Sequence, residues 1–211
     1  MGKQDLKIMM VTLVGYSMGA RIALYMAMRF SQKIEGAVVI SGSPGLNDIL
    51  ARKMRRAYDD SRARFLVDHG LQLFLDNWYS GNMWKSLRSH PHFTRIVSSR
   101  LLNDDVCSLA KVLTDLSIGR QPSLWEGLKQ CNTHLLLIVG EKDEKFVEIM
   151  KKMYDEIRKS KSERKNLICE KVEIPNCGHA VHLENPLPLI QAVRKFLTRV
   201  KQNPACDEAA V

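Results

Sequence analysis

The chain has 211 residues, of which 45% are apolar and 26% are charged, a composition typical of one globular domain. No apolar stretch reaches the roughly 18 residues of a membrane-spanning helix, and residues 1–10 lack the apolar block of a secretory signal. We therefore expect no membrane partner and no targeting signal in this chain. Five cysteines without CxxC spacing indicate reduced thiols rather than a disulfide framework.

The net charge is +9, because 32 lysines and arginines outnumber 23 aspartates and glutamates. The basic residues are dispersed, for example in ARKMRRAYDDSRAR and EIRKSKSERK, and no aromatic-plus-basic module accompanies them. We expect no nucleic-acid partner. An anionic small molecule is the partner that this charge favours.

The first predicted element is an apolar strand over residues 8–15, which leads directly into the sequence GYSMG. Residues 15–19 match G-x-S-x-G, the motif that exposes a serine on a tight turn between a strand and a helix. We expect a Cβ at either glycine to crowd the backbone and Ser17 to adopt a strained conformation. The N–H of Met18 would donate to an oxyanion at this turn.

A crossover helix follows the turn, and a second strand follows the helix. Ile22, Ala23, Met26, Ala27 and Phe30 recur at helical spacing, so we expect this face to pack on a sheet. Residues 36–41, GAVVIS, form the second predicted strand. Their continuous apolar character predicts a parallel sheet that is covered on both faces.

Residues 47–129 have helical periodicity and little strand character, with breaks near Gly70 and Gly81. Such an insertion between strands commonly forms a lid over an α/β active site. We therefore predict a helical cap over 47–129. The core would comprise 1–46 and 130–201, ending in a helix from NPLPLIQAVRKFLTRV, and 202–211 would be a flexible tail.

Two more strands are predicted over residues 134–140 and 167–174, and a polar loop follows each. Asp143 follows the first strand and His179 follows the second, which places both side chains at the carboxyl edge of a parallel sheet with Ser17. A serine hydroxyl needs a base to hold its proton, and a histidine base needs an acid to fix its tautomer. The chain order Ser17, Asp143, His179 is the order that this motif requires.

Three alternatives remain open at these loops. Glu141 lies closer to its strand than Asp143 does and could orient the histidine instead. His182, three residues after His179, could be the base. Cys177, His179 and His182 could bind a metal, although no other cluster of ligands accompanies them and we expect no metal site.

Several further segments carry a more specific resemblance. LVGYSMGARIALYMA, ISGSPGL, DSRARF, FLDNWYS, LTDLSIGRQPSLW, VGEKDEKF and CGHAVHLENP resemble the menaquinone-pathway synthases of 2-succinyl-6-hydroxy-2,4-cyclohexadiene-1-carboxylate. The resemblance is strongest to the carboxyl-terminal domain of the plant fusion proteins that make the equivalent phylloquinone precursor. It covers nearly all of residues 8–200 and implies an α/β-hydrolase fold.

The resemblance also implies an activity and a set of site residues. Members of this family are lyases that eliminate pyruvate from a polycarboxylated, succinyl-bearing cyclohexene, and the triad serine acts as a base. The resemblance assigns the triad to Ser17, Asp143 and His179. It assigns substrate contacts to Tyr16, Arg21, Arg62, Trp78 and Arg100.

The charge of such a substrate agrees with an arginine-rich cap, because guanidinium groups bind carboxylates in pairs of hydrogen bonds. A serine hydrolase of an ester or a C–C bond remains the alternative enzyme. We expect Arg21, Arg62 and Arg100 to converge on Ser17 in a lyase, and an apolar pocket in a hydrolase. No cofactor is required by either activity.

The family's sheet has strands before the serine turn, together with a loop that supplies a second oxyanion donor. Here the serine strand begins near residue 8, so we expect a truncated sheet with an open apolar edge. The missing N-terminal portion or another chain could complete it. We expect weak or no activity from the chain alone, and an inactive fragment that associates through this edge is the third hypothesis. The resemblance implies a plastid location if the chain is part of the plant fusion protein, and a cytoplasmic location otherwise.

Overall fold

The computed structural model describes residues 10–102, 105–159 and 166–203. Its sheet has four parallel strands in the order β1-β2-β3-β4, which confirms the predicted α/β-hydrolase fold class with a helical insertion. The strands are β1 (Val11–Tyr16), β2 (Ile34–Ile40), β3 (His134–Gly140) and β4 (Cys169–Ile174). Residues 8 and 9 of the first predicted strand, and 204–211 of the predicted tail, lie outside the described residues.

The helices connect and cover these strands. They are α1 (Met18–Arg29), α2 (Ile49–Ser80), α3 (Lys85–Arg88), α4 (Phe93–Arg100), α5 (Val106–Asp115), α6 (Trp125–Leu128), α7 (Glu144–Lys159), α8 (Val181–Glu184) and α9 (Pro186–Gln202). A 3₁₀ turn, Asn82–Trp84, precedes α3. None of the described helices has both the length and the apolar character that crossing a membrane requires.

The two central strands are buried on both faces. In β2, Ala37 and Val39 pack with α1, α6 and α7, whereas Val38 and Ile40 pack with α8 and α9. This alternation is the period-2 geometry of a strand between two helical layers. The prediction of a parallel sheet covered on both faces therefore holds for the centre of the sheet.

The outer strands differ from that prediction. In β4, Lys171 and Glu173 are exposed while Ile174 is buried, so one face of this strand meets solvent. At the other end of the sheet, β1 pairs with β2 alone among the described strands, and the side chains of Val11 and Val14 are exposed. The described part of the sheet thus has an apolar edge at β1, as expected from the sequence.

The packing of α1 corrects a second prediction. Its buried face is formed by Ala20, Arg21, Ala23, Leu24 and Ala27. The predicted members Ile22, Met26 and Phe30 are instead exposed on the side of the helix away from the sheet core. The small residues of α1 contact β2 because alanines let the helix approach the sheet closely, and helical spacing alone did not distinguish the two apolar faces.

The cap has a hydrophobic cluster of its own. Leu66, Phe74, Leu75, Tyr79 and Leu87 form its centre, in α2 and α3, and partly buried side chains of α4 and α5 pack against them. α2 bends at Gly70, whose φ of 80° and ψ of 171° suit only glycine. At the end of the proposed cap segment 47–129, Leu124 and Leu128 pack instead with the sheet.

Candidate active site

Ser17 lies at the junction of β1 and α1 with φ 51° and ψ −110°. A Cβ on Gly15 would lie 2.4 Å from the carbonyl oxygen of Gly19 and 2.6 Å from Cα of Ala20, so only glycine fits at this position. The expectation for Gly19 was wrong, because among the described residues a Cβ there would meet no atom outside the backbone of its own helix within 4 Å. The turn therefore depends on its first glycine for close backbone approach.

Ser17, His179 and Asp143 form one hydrogen-bonded chain. Nε2 of His179 lies 3.0 Å from Oγ of Ser17, and Nδ1 lies 2.7 Å from Oδ2 of Asp143. The last two residues are buried, with exposures of 1% for His179 and 7% for Asp143. In the tautomer with hydrogen on Nδ1, His179 donates to Asp143 and its Nε2 accepts the serine proton.

The loops that carry Asp143 and His179 are joined by backbone hydrogen bonds. The N–H of Glu141 donates to the carbonyl of Ile174, and the N–H of Lys142 donates to the carbonyl of Cys177, both at 2.9 Å. A Cβ on Gly140 would lie 2.1 Å from the carbonyl oxygen of Gly178, so the strand end and the histidine loop are in direct contact. This contact fixes the distance between the carboxylate and the imidazole.

The alternative residues occupy other positions. The carboxylate of Glu141 accepts the N–H of Asn176 at 2.9 Å and does not contact His179. The ring of His182 lies against Tyr16, with centroids 4.4 Å apart, rather than at the hydroxyl of Ser17. The described residues contain no group of three or more His, Cys, Asp or Glu side chains arranged to hold a metal.

Three aromatic rings surround the imidazole of His179. The ring centroids of Phe146, Tyr16 and Trp84 lie 4.7, 5.4 and 5.5 Å from it. Sequence reasoning missed Phe146 and Trp84. The one available signal was an aromatic residue close to each motif, in VGEKDEKF and in the segment after DNWYS.

Tyr16 and His182 carry buried polar atoms without a hydrogen-bond partner in the structure, the tyrosine hydroxyl and the histidine Nδ1. Burial raises the pKa of Tyr16, so its hydroxyl stays protonated. Burial, together with the charges of Arg100 and His179, lowers the pKa of His182 and favours its neutral form. The side chains of Tyr16 and His182, which lie beside the triad, are therefore polar but uncharged at neutral pH.

The side chain of Arg21, a predicted substrate contact, is bonded within the protein in this structure. Its side chain donates to Oε1 of Gln121 and to the carbonyl oxygens of Ser43 and Pro122, and the residue is 4% exposed. Burial, with a smaller contribution from the nearby charge of Arg52, lowers its pKa to about 10. In this structure Arg21 holds together the two loops that join the core to the cap.

The other predicted substrate residues lie in the cap. The guanidinium of Arg62 stacks on Trp78, 4.3 Å from the ring centroid. Trp78 and Arg100 line a largely apolar cavity of about 350 Å³ in the cap, and the charge of Arg100 acts on both Tyr16 and His182. Arg62 is thus engaged with Trp78, whereas the charge of Arg100 acts on the two residues beside the triad.

A larger cleft of about 1140 Å³ separates the cap from the loop after β3. Met83 and Ser86 line it on the cap side, and Lys142, Asp143 and Phe146 line it on the core side. The cleft reaches the side of Asp143, so a ligand in it would lie next to the triad.

A strained serine between a strand and a helix, bonded to a histidine and an aspartate from later loops, defines the serine-triad class of α/β-hydrolase folds. The comparisons with known proteins agree. The alpha/beta hydrolase family matches residues 9–192. A solved structure of MenH from S. aureus superimposes with a TM-score of 0.82 at 31% identity, covering 91% of this chain and 69% of that one.

Two curated relatives assign the chain to one group within the alpha/beta hydrolase family. The chain is 65% identical over 190 residues to Protein PHYLLO, chloroplastic, of Arabidopsis thaliana, covering 90% of this chain and 11% of that protein. It is 35% identical over 199 residues to a Bacillus subtilis (strain 168) protein provisionally named 2-succinyl-6-hydroxy-2,4-cyclohexadiene-1-carboxylate synthase, covering 93% of this chain and 69% of that one. The chain belongs to the alpha/beta hydrolase family and, within it, to the family of these synthases.

Proposed function

We propose that this chain carries the triad of a lyase that eliminates pyruvate from 2-succinyl-5-enolpyruvyl-6-hydroxy-3-cyclohexene-1-carboxylate. The product would be 2-succinyl-6-hydroxy-2,4-cyclohexadiene-1-carboxylate, an intermediate of phylloquinone or menaquinone biosynthesis. The observation that carries this proposal is the hydrogen-bonded chain Ser17–His179–Asp143 in a member of the synthase family.

The chemistry needs a base at one ring carbon. The hydroxyl of Ser17 passes its proton to Nε2 of His179, and the serine oxygen takes the proton from C2 of the substrate. The electron pair left at C2 forms the C2–C3 double bond, the C3–C4 pair moves to C4–C5, and the bond from C5 to the enolpyruvyl oxygen breaks. The released enolpyruvate takes the proton that His179 received from Ser17 onto its carbon and becomes pyruvate, so atoms and charge balance and the triad is restored.

Negative charge develops on the succinyl carbonyl as the C2 proton leaves. The N–H of Met18, at the first position of α1, would donate to that oxygen, and the amino end of the helix would favour the charge. Asp143 stabilises the imidazolium that forms on His179. These groups supply the charge stabilisation without a cofactor or a metal.

Substrate carboxylates need cationic or hydrogen-bonding partners. We propose that Arg100 and the hydroxyl of Tyr16 bind one of them, since the charge of Arg100 acts on a tyrosine whose hydroxyl is buried and unpaired. Arg62 on Trp78 would contact the same substrate when the cap adjusts its arginine side chains. Arg21 would take part only after leaving its present partners.

The chain spans 11% of the length of the Arabidopsis relative and 69% of that of the Bacillus relative. The activity of the whole protein is therefore part of this proposal, as is a plastid location, which we infer from the chloroplastic relative. Because β1 is an edge strand in the described sheet, we propose that a further segment or chain pairs with it in the active form.

A serine hydrolase is the second candidate, and the apolar lining of the cap cavity favours it. Both candidates are tested by assaying one sample for pyruvate release from the enolpyruvyl substrate and for p-nitrophenol release from a p-nitrophenyl ester. We expect pyruvate release to exceed ester cleavage. Ester cleavage alone would identify a hydrolase.

The same assay compares the chain alone with a version joined to the part of the Bacillus relative that it does not cover. We expect the joined version to be faster, by about 10²- to 10³-fold if it adds one oxyanion donor. Equal rates would contradict the role that we propose for the strand edge.

A further inference from the structure

Glu184 ends the short helix α8, five residues after His179, and the mechanism above does not use it. Its carboxylate accepts two backbone hydrogen bonds: Oε2 from the N–H of Gly178 at 2.9 Å and Oε1 from the N–H of Ala180 at 3.2 Å. These two N–H groups belong to the residues on either side of His179. One carboxylate therefore binds the backbone immediately before and immediately after the histidine.

The carbonyl group of His179, which lies between these two N–H groups along the backbone, is also bound. The hydroxyl of Ser41 donates to the carbonyl oxygen of His179 at 3.0 Å, and both residues are buried. Three backbone groups, one each from Gly178, His179 and Ala180, thus have fixed partners. Hydrogen bonds to a carboxylate are stronger than those between neutral groups, so Glu184 contributes most to fixing this loop.

Glu184 also links the loop to the cap. The hydroxyl of Ser86 in α3 donates to Oε2 of Glu184, the oxygen that already accepts the N–H of Gly178. A Cβ on Gly178 would lie 2.8 Å from Cβ of Ser86, so the cap reaches the backbone of the loop itself. Trp84, two residues before Ser86, also contacts the His179 ring.

We propose that Glu184 is a positioning residue of the triad, which sets the backbone of His179 and couples it to the cap through Ser86. The two carboxylate oxygens match two N–H donors, and no neutral side chain of this size offers two equivalent acceptors. The kinetic part of this inference rests on the proposed function, whereas the structural part concerns the His179–Asp143 hydrogen bond alone.

The test is Glu184→Gln in the purified chain, with Glu170→Gln as the matched control. Glutamine has the same size but places an N–H₂ group against one of the two backbone donors. Glu170 is also partly buried and pairs with Arg199 on α9, away from the histidine loop. Both variants lose one negative charge, so only the contacts distinguish them.

The first readout is the proton NMR resonance of the Nδ1 hydrogen of His179, which the short bond to Asp143 shifts to low field. We expect Glu184→Gln to move or broaden this resonance, and Glu170→Gln to leave it in place. The second readout is pyruvate release, where we expect kcat to fall about tenfold or more with KM unchanged, because a displaced base slows the chemical step and not binding.

A wild-type resonance in folded Glu184→Gln would overturn the proposal, whatever the activity. A changed resonance, together with no pyruvate release by the wild-type chain joined to the missing part of the Bacillus relative, would support the positioning role and reject the proposed function. If Glu184→Gln does not fold, as judged by circular dichroism, Glu184→Asp provides the same test with both acceptors one methylene further away. An unchanged resonance in that variant would also overturn the proposal.

Discussion

Ser17 combines a strained backbone with a defined chemical setting. A positive φ costs a non-glycine residue about 1–3 kcal/mol, and it persists only where the surroundings impose it. Here its N–H donates to the carbonyl of Ile40 at 2.8 Å, and its carbonyl accepts the N–H of Arg21 at 3.2 Å. The strand and the helix thus hold the turn from both sides, and the hydroxyl is left facing Nε2 of His179.

The choice between Asp143 and Glu141 as the residue that orients His179 can be tested by paired substitutions. We expect Asp143→Asn to lower kcat by about 10³- to 10⁴-fold, because an amide cannot stabilise the imidazolium and favours the wrong tautomer. Glu141→Gln should leave kcat at the wild-type level, since that carboxylate binds the N–H of Asn176. A larger loss in Glu141→Gln than in Asp143→Asn would reverse the assignment.

His182 should make the folded chain sensitive to mild acid. Its pKa is lowered by burial, Arg100 and His179, so the unfolded state binds its proton more readily than the folded state does. The stability that neutral His182 contributes is therefore complete above its ordinary pKa of about 6.5 and declines below it. We expect His182→Gln to lose less stability than wild type between pH 7.5 and 5.5 in urea unfolding.

The matched control for that experiment is His92→Gln, which removes an exposed histidine of the cap. Parallel stability curves for wild type and His182→Gln across this pH range would contradict the prediction.

The residues around the triad show how far a sequence can predict a site. Ser17, Asp143 and His179 follow strands in a fixed order, so local pattern and topology together placed them. Trp84 and Glu184 reach the histidine from the cap and from a one-turn helix, and no spacing rule predicts such contacts. Arg21 was placed by motif alone, whereas the acceptors that hold it lie 22 to 101 residues away.

At the scale of elements, the junction of β1 and α1 depends on one glycine. Gly15→Ala should destabilise the chain by about 1–3 kcal/mol, because its Cβ would overlap the backbone of Gly19 and Ala20. Gly19→Ala should be neutral or stabilise by up to about 1 kcal/mol, since it adds a methyl group to a helix in open space. Urea unfolding of the two variants measures both effects, and equal losses would contradict the account.

The strands and helices were predictable to different degrees for a physical reason. β2 and β3 have helices on both faces, so their continuous apolar sequences determine their burial. Three elements each have one side exposed to solvent, namely β1, β4 and α1. Which of their residues are buried therefore depends on the elements that pack against the other side. The sequence of α1 contains two apolar faces, and only the sheet selects the one that is buried.

Across the whole molecule, the loop that carries His179 is where the hydrophobic cluster of the cap meets the hydrophobic core of the sheet. Ala180 packs in the cap cluster, while its neighbour Val181 packs in the sheet core. Among the described strands, the opposite side of the sheet ends at β1, where Val14 is 58% exposed. The triad therefore lies between a well-packed contact with the cap and the unpaired edge of β1. We expect the missing partner of that edge to limit the rate of pyruvate release.

The measurement that tests the central claim most directly is pyruvate release from the enolpyruvyl-succinyl-cyclohexene carboxylate by the purified chain and by Ser17→Ala. We predict slow release by the chain and none above background by the variant, because alanine has no oxygen to take the C2 proton. Equal release by both, or none by a folded version joined to the missing part of the Bacillus relative, would contradict the claim that this triad catalyses the elimination.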